Sequence, residues 1–186
     1  VGHMTLRVAT MDSLDRPATA AEIGRMRELV REALSAGAIG FSTGLYYELS
    51  NAAPTQEVME IARPLKEFNG IYCTHMRDEA EHVMESLDES FRVGRELDVP
   101  VVISHHKVVG TRSHGRSKET LPRIAEAMLT QTVCLDCYPY TASSTMLSYA
   151  RTLICSRVIV SSSRPYPQYA GMDLDEVVKK MGLPAE

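Results

Sequence analysis

Two histidines stand at the ends of short apolar runs: His75 closes I-Y-C-T-H and His105 closes V-P-V-V-I-S-H. Each is followed two positions later by a cation, Arg77 in the first case and Lys107 in the second. An imidazole at the end of a buried strand is carried by rigid backbone and faces the mouth of a sheet, which suits a side chain that must hold a metal. The competing reading is a hydrogen-bonded loop histidine, and spacing alone leaves the two open. Neither H-x-x-x-H nor H-E-x-x-H occurs. A pair of ligands would therefore come from separate strands, as in catalytic rather than structural zinc sites.

The four cysteines raise the metal question a second time. Cys134 and Cys137 form a C-x-x-C inside the strand-like run T-V-C-L-D-C-Y, and no second C-x-x-C completes a zinc knuckle. Their odd spacing on a strand sends the two side chains to opposite faces. Reduced, mostly buried thiols in a reducing compartment are the expected state. Cys73 lies two positions before His75 and shares its strand face, so it reads either as a packed thiol or as a secondary ligand.

The elements that must position these residues follow from periodicity. A short apolar stretch at 4–9 leads in. Apolar residues at Ile23, Met26, Leu29, Val30 and Leu34 mark one face of a helix over 20–37, with Thr19 and Glu22 as a capping box and Gly37 as a stop. The run from Ala38 reads as a strand that leaves through a glycine turn toward Tyr46 and Tyr47. A second helix opens at Thr55 and must bend or end at Pro64. The next cycle has a strand at 70–75, a helix at 79–97 and a strand at 99–104. The last has a polar loop at 109–118, a helix from Glu119 to about Leu129, and a strand ending at Tyr138.

This α-then-β rhythm with near-continuous apolar strands predicts a parallel sheet covered by helices. Barrel and doubly wound topologies both satisfy it, and the polar residues decide. His75, Arg77 and Asp78, then His105, His106 and Lys107, then Tyr138, Tyr140, Ser143 and Ser144 all follow strand ends, which is the catalytic face of a β/α barrel. His106, next to a candidate ligand, should face away from it.

Bulk properties exclude some classes. The chain has 186 residues, fewer than the roughly 250 of a complete eight-fold barrel. Acidic residues number 24 against 20 basic, so no basic excess points to nucleic acid. No apolar stretch reaches the roughly 20 residues of a membrane span, and no signal-like pattern opens the chain. A cytoplasmic protein without membrane or nucleic-acid partners is expected.

Four ordered blocks carry a resemblance: G-A-I-G-F-S-T-G-L-Y-Y, I-Y-C-T-H-M-R-D-E, V-P-V-V-I-S-H-H-K and D-C-Y-P-Y-T-A-S-S-T-M-L. Together they resemble the N-acyl-D-amino-acid deacylases, or D-aminoacylases, of the amidohydrolase superfamily. The resemblance runs from V-G-H-M-T-L-R, including His3, to at least Leu147, and loosens beyond about Arg151. It implies a zinc-dependent hydrolase that cleaves the amide of an N-acyl-D-amino acid to a carboxylate and a free D-amino acid. By motif, His75 and His105 match zinc ligands at the ends of the fifth and sixth strands. Lys107, Tyr138, Ser144 and Arg157 match positions that receive the substrate carboxylate and acyl oxygen, with Tyr47 lining the pocket.

Other parts of that family's pattern are missing. No H-x-H occurs, and Asp173 and Asp175 belong to a helix start rather than to a strand end. No catalytic general base is therefore expected in this chain; the aspartate that serves as one should lie outside it. The expected fold is a partial TIM-like (β/α) barrel, roughly the third to seventh strands with their helices. Residues 1–186 read as the central part of the barrel domain, with 148–186 as an insertion or helical extension. The fragment alone is expected to be inactive, to bind zinc weakly and to self-associate through open sheet edges. The alternatives are another amidohydrolase acting on amides or cyclic amides, or a non-catalytic oligomerising fragment. G-F-S-T-G-L offers no lysine for the carboxylated-lysine type of metal bridge.

Overall fold

The computed structural model describes residues 1–183, apart from the side chains of residues 150 and 151. Two compact units divide the chain: Val1–Val108 with Gly115–Tyr140, and Val109–His114 with the segment from Thr141 onward.

The first unit is built on a parallel sheet of β1 (Gly40–Gly44), β2 (Ile71–His75), β3 (Val101–Ile103) and β4 (Val133–Leu135), hydrogen-bonded in chain order. Sequential order means that every crossover steps one strand in the same direction, as in a barrel wall. Beside β1 the chain start adds a further strand position. Gly2 bridges Ser42 in parallel, the Ser42 N–H donates to the Val1 carbonyl at 2.9 Å, and the Val1 amino group donates to the Gly40 carbonyl at 2.7 Å. With this stub the wall has five strand positions, the number in the expected span.

The helices are α1 (His3–Thr10), α2 (Ala20–Ser35), α3 (Thr55–Ala62), the single turn α4 (Pro64–Glu67), α5 (Val83–Leu97) and α6 (Ser117–Met128). The capping box at Thr19 and Glu22 is present in full, and Gly37 follows α2 with φ +101°. Pro64 separates α3 from α4, where it stands at a helix start that needs no N–H. The stretch 4–9 is helical, and the inner face of α1 is His3, Leu6 and Arg7 rather than its apolar residues as a run.

Strand alternation sorts the two faces. Tyr72 and Thr74 of β2 are buried against the helices, whereas Ile71, Cys73 and His75 turn to the other face and are half-buried. Phe41, Val101, Ile103 and Val133 join Tyr72 in a core completed by Met26, Val30, Val58, Ile61, Leu87, Phe91 and Ile124. Within it the Tyr72 hydroxyl and the Thr43 hydroxyl lie 2.9 Å apart, and Thr43 donates to Thr74 at 2.9 Å. Burial pushes the Tyr72 phenol up to about 12. Helix α5 lies so close to β3 that a Cβ on Gly94 would fall 2.4 Å from a Val101 methyl.

One charged cluster is wholly inside this unit. Arg7 is 0% exposed and donates to Glu57, to the Leu49 carbonyl at 3.0 Å, and to the Leu14 and Arg16 carbonyls at 3.0 and 2.8 Å. Glu57 also accepts the Ala18 N–H at 2.8 Å and lies 3.2 Å from His3 Nε2. Burial pushes the Glu57 carboxyl up, but His3, the Ala18 N–H and Arg7 outweigh it and hold it below the ordinary value.

The second unit contains α7 (Tyr149–Thr152), two 3-10 turns and α8 (Leu174–Met181). A short antiparallel contact, Ile159 with Asp173, precedes α8. Asp173 and Asp175 stand at the start of this helix, as the sequence indicates. Among the described residues no helix is long and apolar enough to cross a membrane.

Candidate metal centre

His75 is the last residue of β2, and its ring leaves the sheet on the face away from the helices. One strand over, β3 ends at Ile103 and the Ser104 N–H still donates to the Thr74 carbonyl at 3.0 Å. His105 then takes φ +41°, in the left-handed region. Asp136, just past β4, holds this turn: its Oδ1 accepts the His105 N–H at 2.6 Å and its carbonyl accepts the His106 N–H at 2.7 Å. The turn brings His105 Nε2 to 2.9 Å from His75 Nδ1, with ring centroids 4.5 Å apart.

His106 goes the other way. It is buried, its Nε2 lies 2.9 Å from the Thr120 hydroxyl, and burial, helped by the Lys107 charge, keeps its imidazole below the ordinary value. The expectation that it faces away from the site is met.

The two cations that follow the histidines part company. Lys107 enters the site: its Nζ donates to Glu79 Oε1 at 2.7 Å and to the His105 carbonyl at 3.1 Å, and stands 2.8 Å from His105 Nδ1. Arg77 instead pairs with Glu89 at 2.8 Å and donates to the Asn51 and Ala53 carbonyls, bracing the loop after β1.

Glu79 comes into the site because helix α5 starts at Val83 rather than at 79. Asp78 makes the difference, since its Oδ1 accepts the N–H groups of Ala80 and His82 and its own N–H donates to Ser86. Such local side-chain bonds hold a turn against helix formation. The residue thus released from the helix is 2% exposed.

Around this centre, the Tyr47 ring is 4.9 Å and the Tyr46 ring 5.8 Å from the His75 ring, and Lys107 Nζ is 5.7 Å from the Tyr138 ring centroid. Five sequence-selected residues, His75, His105, Lys107, Tyr138 and Tyr47, therefore surround one position. Ser144 and Arg157 belong to the second unit, where Ser144 is exposed and Arg157 makes a two-point pair with Asp173 at 2.7 and 2.9 Å. Cys73 shares the face of His75, and burial raises its thiol. All four cysteines are free thiols, but they are not mostly buried as expected: Cys73 is partly buried, and Cys134, Cys137 and Cys155 are exposed.

Among the described residues, His75, Glu79 and His105 form the group whose ligand atoms lie within 4.8 Å of one another. Glu79 Oε2 is buried and accepts no hydrogen bond. Two facing imidazole nitrogens beside a buried carboxylate fit a divalent cation of the zinc type. Glu79 was not selected from the sequence because it reads as the first residue of a helix; the legible signal was H-M-R-D-E itself, a carboxylate four positions after a candidate ligand. Asp136 acts through backbone N–H groups, for which sequence offers no pattern.

A parallel α/β wall with histidines at successive strand ends is the architecture of the metal-dependent amidohydrolases, part of a β/α barrel. No protein-family model matches the chain. It is 55% identical over 182 residues to a D-aminoacylase of Alcaligenes xylosoxydans xylosoxydans, covering 98% of this chain and 38% of that protein. It is 51% identical to an N-acyl-D-aspartate deacylase of the same organism, covering 100% of this chain and 38% of that protein. A crystal structure of D-aminoacylase, described as defining a novel subset of amidohydrolases, superposes with a TM-score of 0.94 at 53% identity, over 98% of this chain and 39% of that one. The N-acyl-D-glutamate deacylase of Bordetella bronchiseptica, solved with zinc and a phosphonate mimic of the tetrahedral intermediate, gives 0.93 at 36% identity over 98% of this chain and 39% of that one. The chain belongs to the D-aminoacylase, or N-acyl-D-amino-acid deacylase, family, and spans under two fifths of the length of these relatives.

Proposed function

We propose that the protein containing this chain is a zinc-dependent hydrolase that cleaves N-acyl-D-amino acids to a carboxylate and a D-amino acid. The observation that carries this reading is the 2.9 Å approach of His75 Nδ1 and His105 Nε2 from adjacent strand ends, in a chain that matches deacylases over its whole length. His75 and His105 would hold the ion. A zinc ion supplies Lewis-acid polarisation of the amide carbonyl and acidification of water at neutral pH.

The chain's own residues bind and orient. Lys107 offers positive charge beside the centre for an anionic substrate or a developing oxyanion, and Tyr138 stands over it. On the family resemblance Ser144 and Arg157 are read as receiving the substrate carboxylate and acyl oxygen; in this chain the Arg157 guanidinium makes its two-point pair with Asp173. Tyr47 lines the pocket against the His75 ring. The general base comes from an aspartate outside residues 1–186, and the remaining barrel strands cover the half-buried Ile71, Cys73 and His75 face. Residues 148–186 are read as an insertion or helical extension of the barrel domain, with 184–186 outside the described residues.

The test uses the intact protein with N-acetyl-D- and N-acetyl-L-amino acids, following release of the free amino acid before and after chelation and readdition of zinc. Zinc-restored release from the D series is expected. A metal-loaded intact protein that releases no D-amino acid overturns the proposal.

A further inference from the structure

Glu79 has no part in the roles assigned so far, yet it is 2% exposed and charged beside the centre. Its carboxylate lies where both imidazoles turn their second nitrogen. Oε1 is 3.3 Å from His105 Nδ1, and Oε2 is 3.9 Å from His75 Nε2. The first nitrogens, His75 Nδ1 and His105 Nε2, are the ones that face each other. We infer that Glu79 is a positioning residue and not a metal ligand: one carboxylate backs both histidines, accepting a hydrogen bond from one ring N–H of each and leaving the facing lone pairs for the metal. This rests on the reading of His75 and His105 as ligands.

The chemistry of neutral imidazole makes the role specific. One ring nitrogen carries the proton and the other the lone pair, so a partner at the outer nitrogen decides what the inner one offers. For His105 the two tautomers make opposite demands. With the proton on Nε2, that nitrogen donates toward His75 Nδ1, and Nδ1 accepts from Lys107 at 2.8 Å. With the proton on Nδ1, the ring donates to Glu79 Oε1, and Nε2 is open to a cation. An ammonium cannot accept a proton, so Glu79 and not Lys107 selects the second tautomer. Lys107 keeps two other acceptors, Oε1 of Glu79 and the His105 carbonyl, and its charge compensates the buried carboxylate. On the His75 side, closing roughly 1 Å brings Oε2 to hydrogen-bond range, and Oε2 has its acceptor capacity intact. Metal-bound histidines commonly use such a carboxylate, and its removal typically weakens metal affinity 10–100-fold.

The experiment measures zinc content and affinity of the intact protein by competition with a chromophoric chelator. Glu79→Gln should saturate with the same zinc content as the parent but bind about 10–100-fold more weakly, and Glu79→Asp should fall between them. Parental affinity in Glu79→Gln overturns the inference, and so does outright loss of zinc matching that of His75→Ala. Parental affinity in His75→Ala and His105→Ala would instead overturn the ligand reading itself, whatever Glu79→Gln does. A measurement on the unsubstituted protein needs no variant to fold: imidazole 15N spectra of the zinc-loaded form should show the proton on Nδ1 of His105 and on Nε2 of His75. Either ring protonated at the other nitrogen refutes the role of Glu79.

Discussion

Two buried carboxylates in the first unit are built from similar parts and do different work. Glu57 and Glu79 are 1% and 2% exposed, and each has a basic side chain and histidine beside it. At Glu57 both oxygens are occupied, by Arg7, His3 and the Ala18 N–H, and Arg7 directs three further donors to backbone carbonyls. At Glu79 one oxygen is taken by Lys107 and the other accepts no hydrogen bond. A carboxylate so saturated ties α1, the 11–18 loop and α3 together. An unsaturated one retains capacity for a further partner, and a site must have that.

The strongest way to break the comparison is to remove one member of the saturated cluster. Glu57→Ala or Arg7→Met in the intact protein should cost about 3–5 kcal/mol in denaturant unfolding, because the surviving charge stays buried without its partner. Zinc content at saturation should be unchanged, and loss of zinc in a folded Arg7→Met protein would erase the distinction. The same cluster gives a pH signature. The Glu57 pKa is lower folded than unfolded, so its contribution is present above the ordinary carboxylate range and fades as pH falls through the folded value. The acid limb of a stability-versus-pH curve should flatten in a folded Glu57→Gln protein.

At the unsaturated cluster, Lys107→Met leaves the Glu79 charge uncompensated and should destabilise by roughly 2 kcal/mol, less than the loss at Glu57 since this centre is partly open to solvent. It should also raise KM for an anionic substrate. Smaller still, Tyr72→Phe removes a hydroxyl that pairs with Thr43 and should cost about 1 kcal/mol with no effect on zinc affinity. At the far end of the scale, Arg31→Ala breaks an exposed pair with Glu67 and should leave the denaturation midpoint unmoved within error.

Much of the fold was legible because its causes are local. The Thr19 and Glu22 capping box, the stop at Gly37 and the break at Pro64 all operate within one helical turn, and each appears where the residues place it. The alternation of β2 likewise sent Cys73 and His75 to one face and Tyr72 to the other. The start of α5 was misplaced by four residues, since Asp78 competes for backbone N–H groups that periodicity assigns to the helix. The helical α1 was missed because its buried face carries His3 and Arg7, which no hydrophobic pattern marks.

The candidate centre divides along the same line. By itself the sequence determined that His75 ends one strand and His105 follows the next, and that Lys107, Tyr138 and Tyr47 lie near strand ends, since strand termini follow from short-range patterns of apolar and polar residues. Only the tertiary structure decided that Lys107 enters the site while Arg77 leaves it, that Asp136 sets the His105 turn, and that Glu79 stands behind both rings. Those outcomes depend on which groups from distant segments compete for a given proton. Glu89 wins Arg77 across 12 residues, and Glu79 wins Lys107 across 28. Pairings over such separations are settled by where the packed elements leave donors and acceptors, not by the order in which the chain presents them.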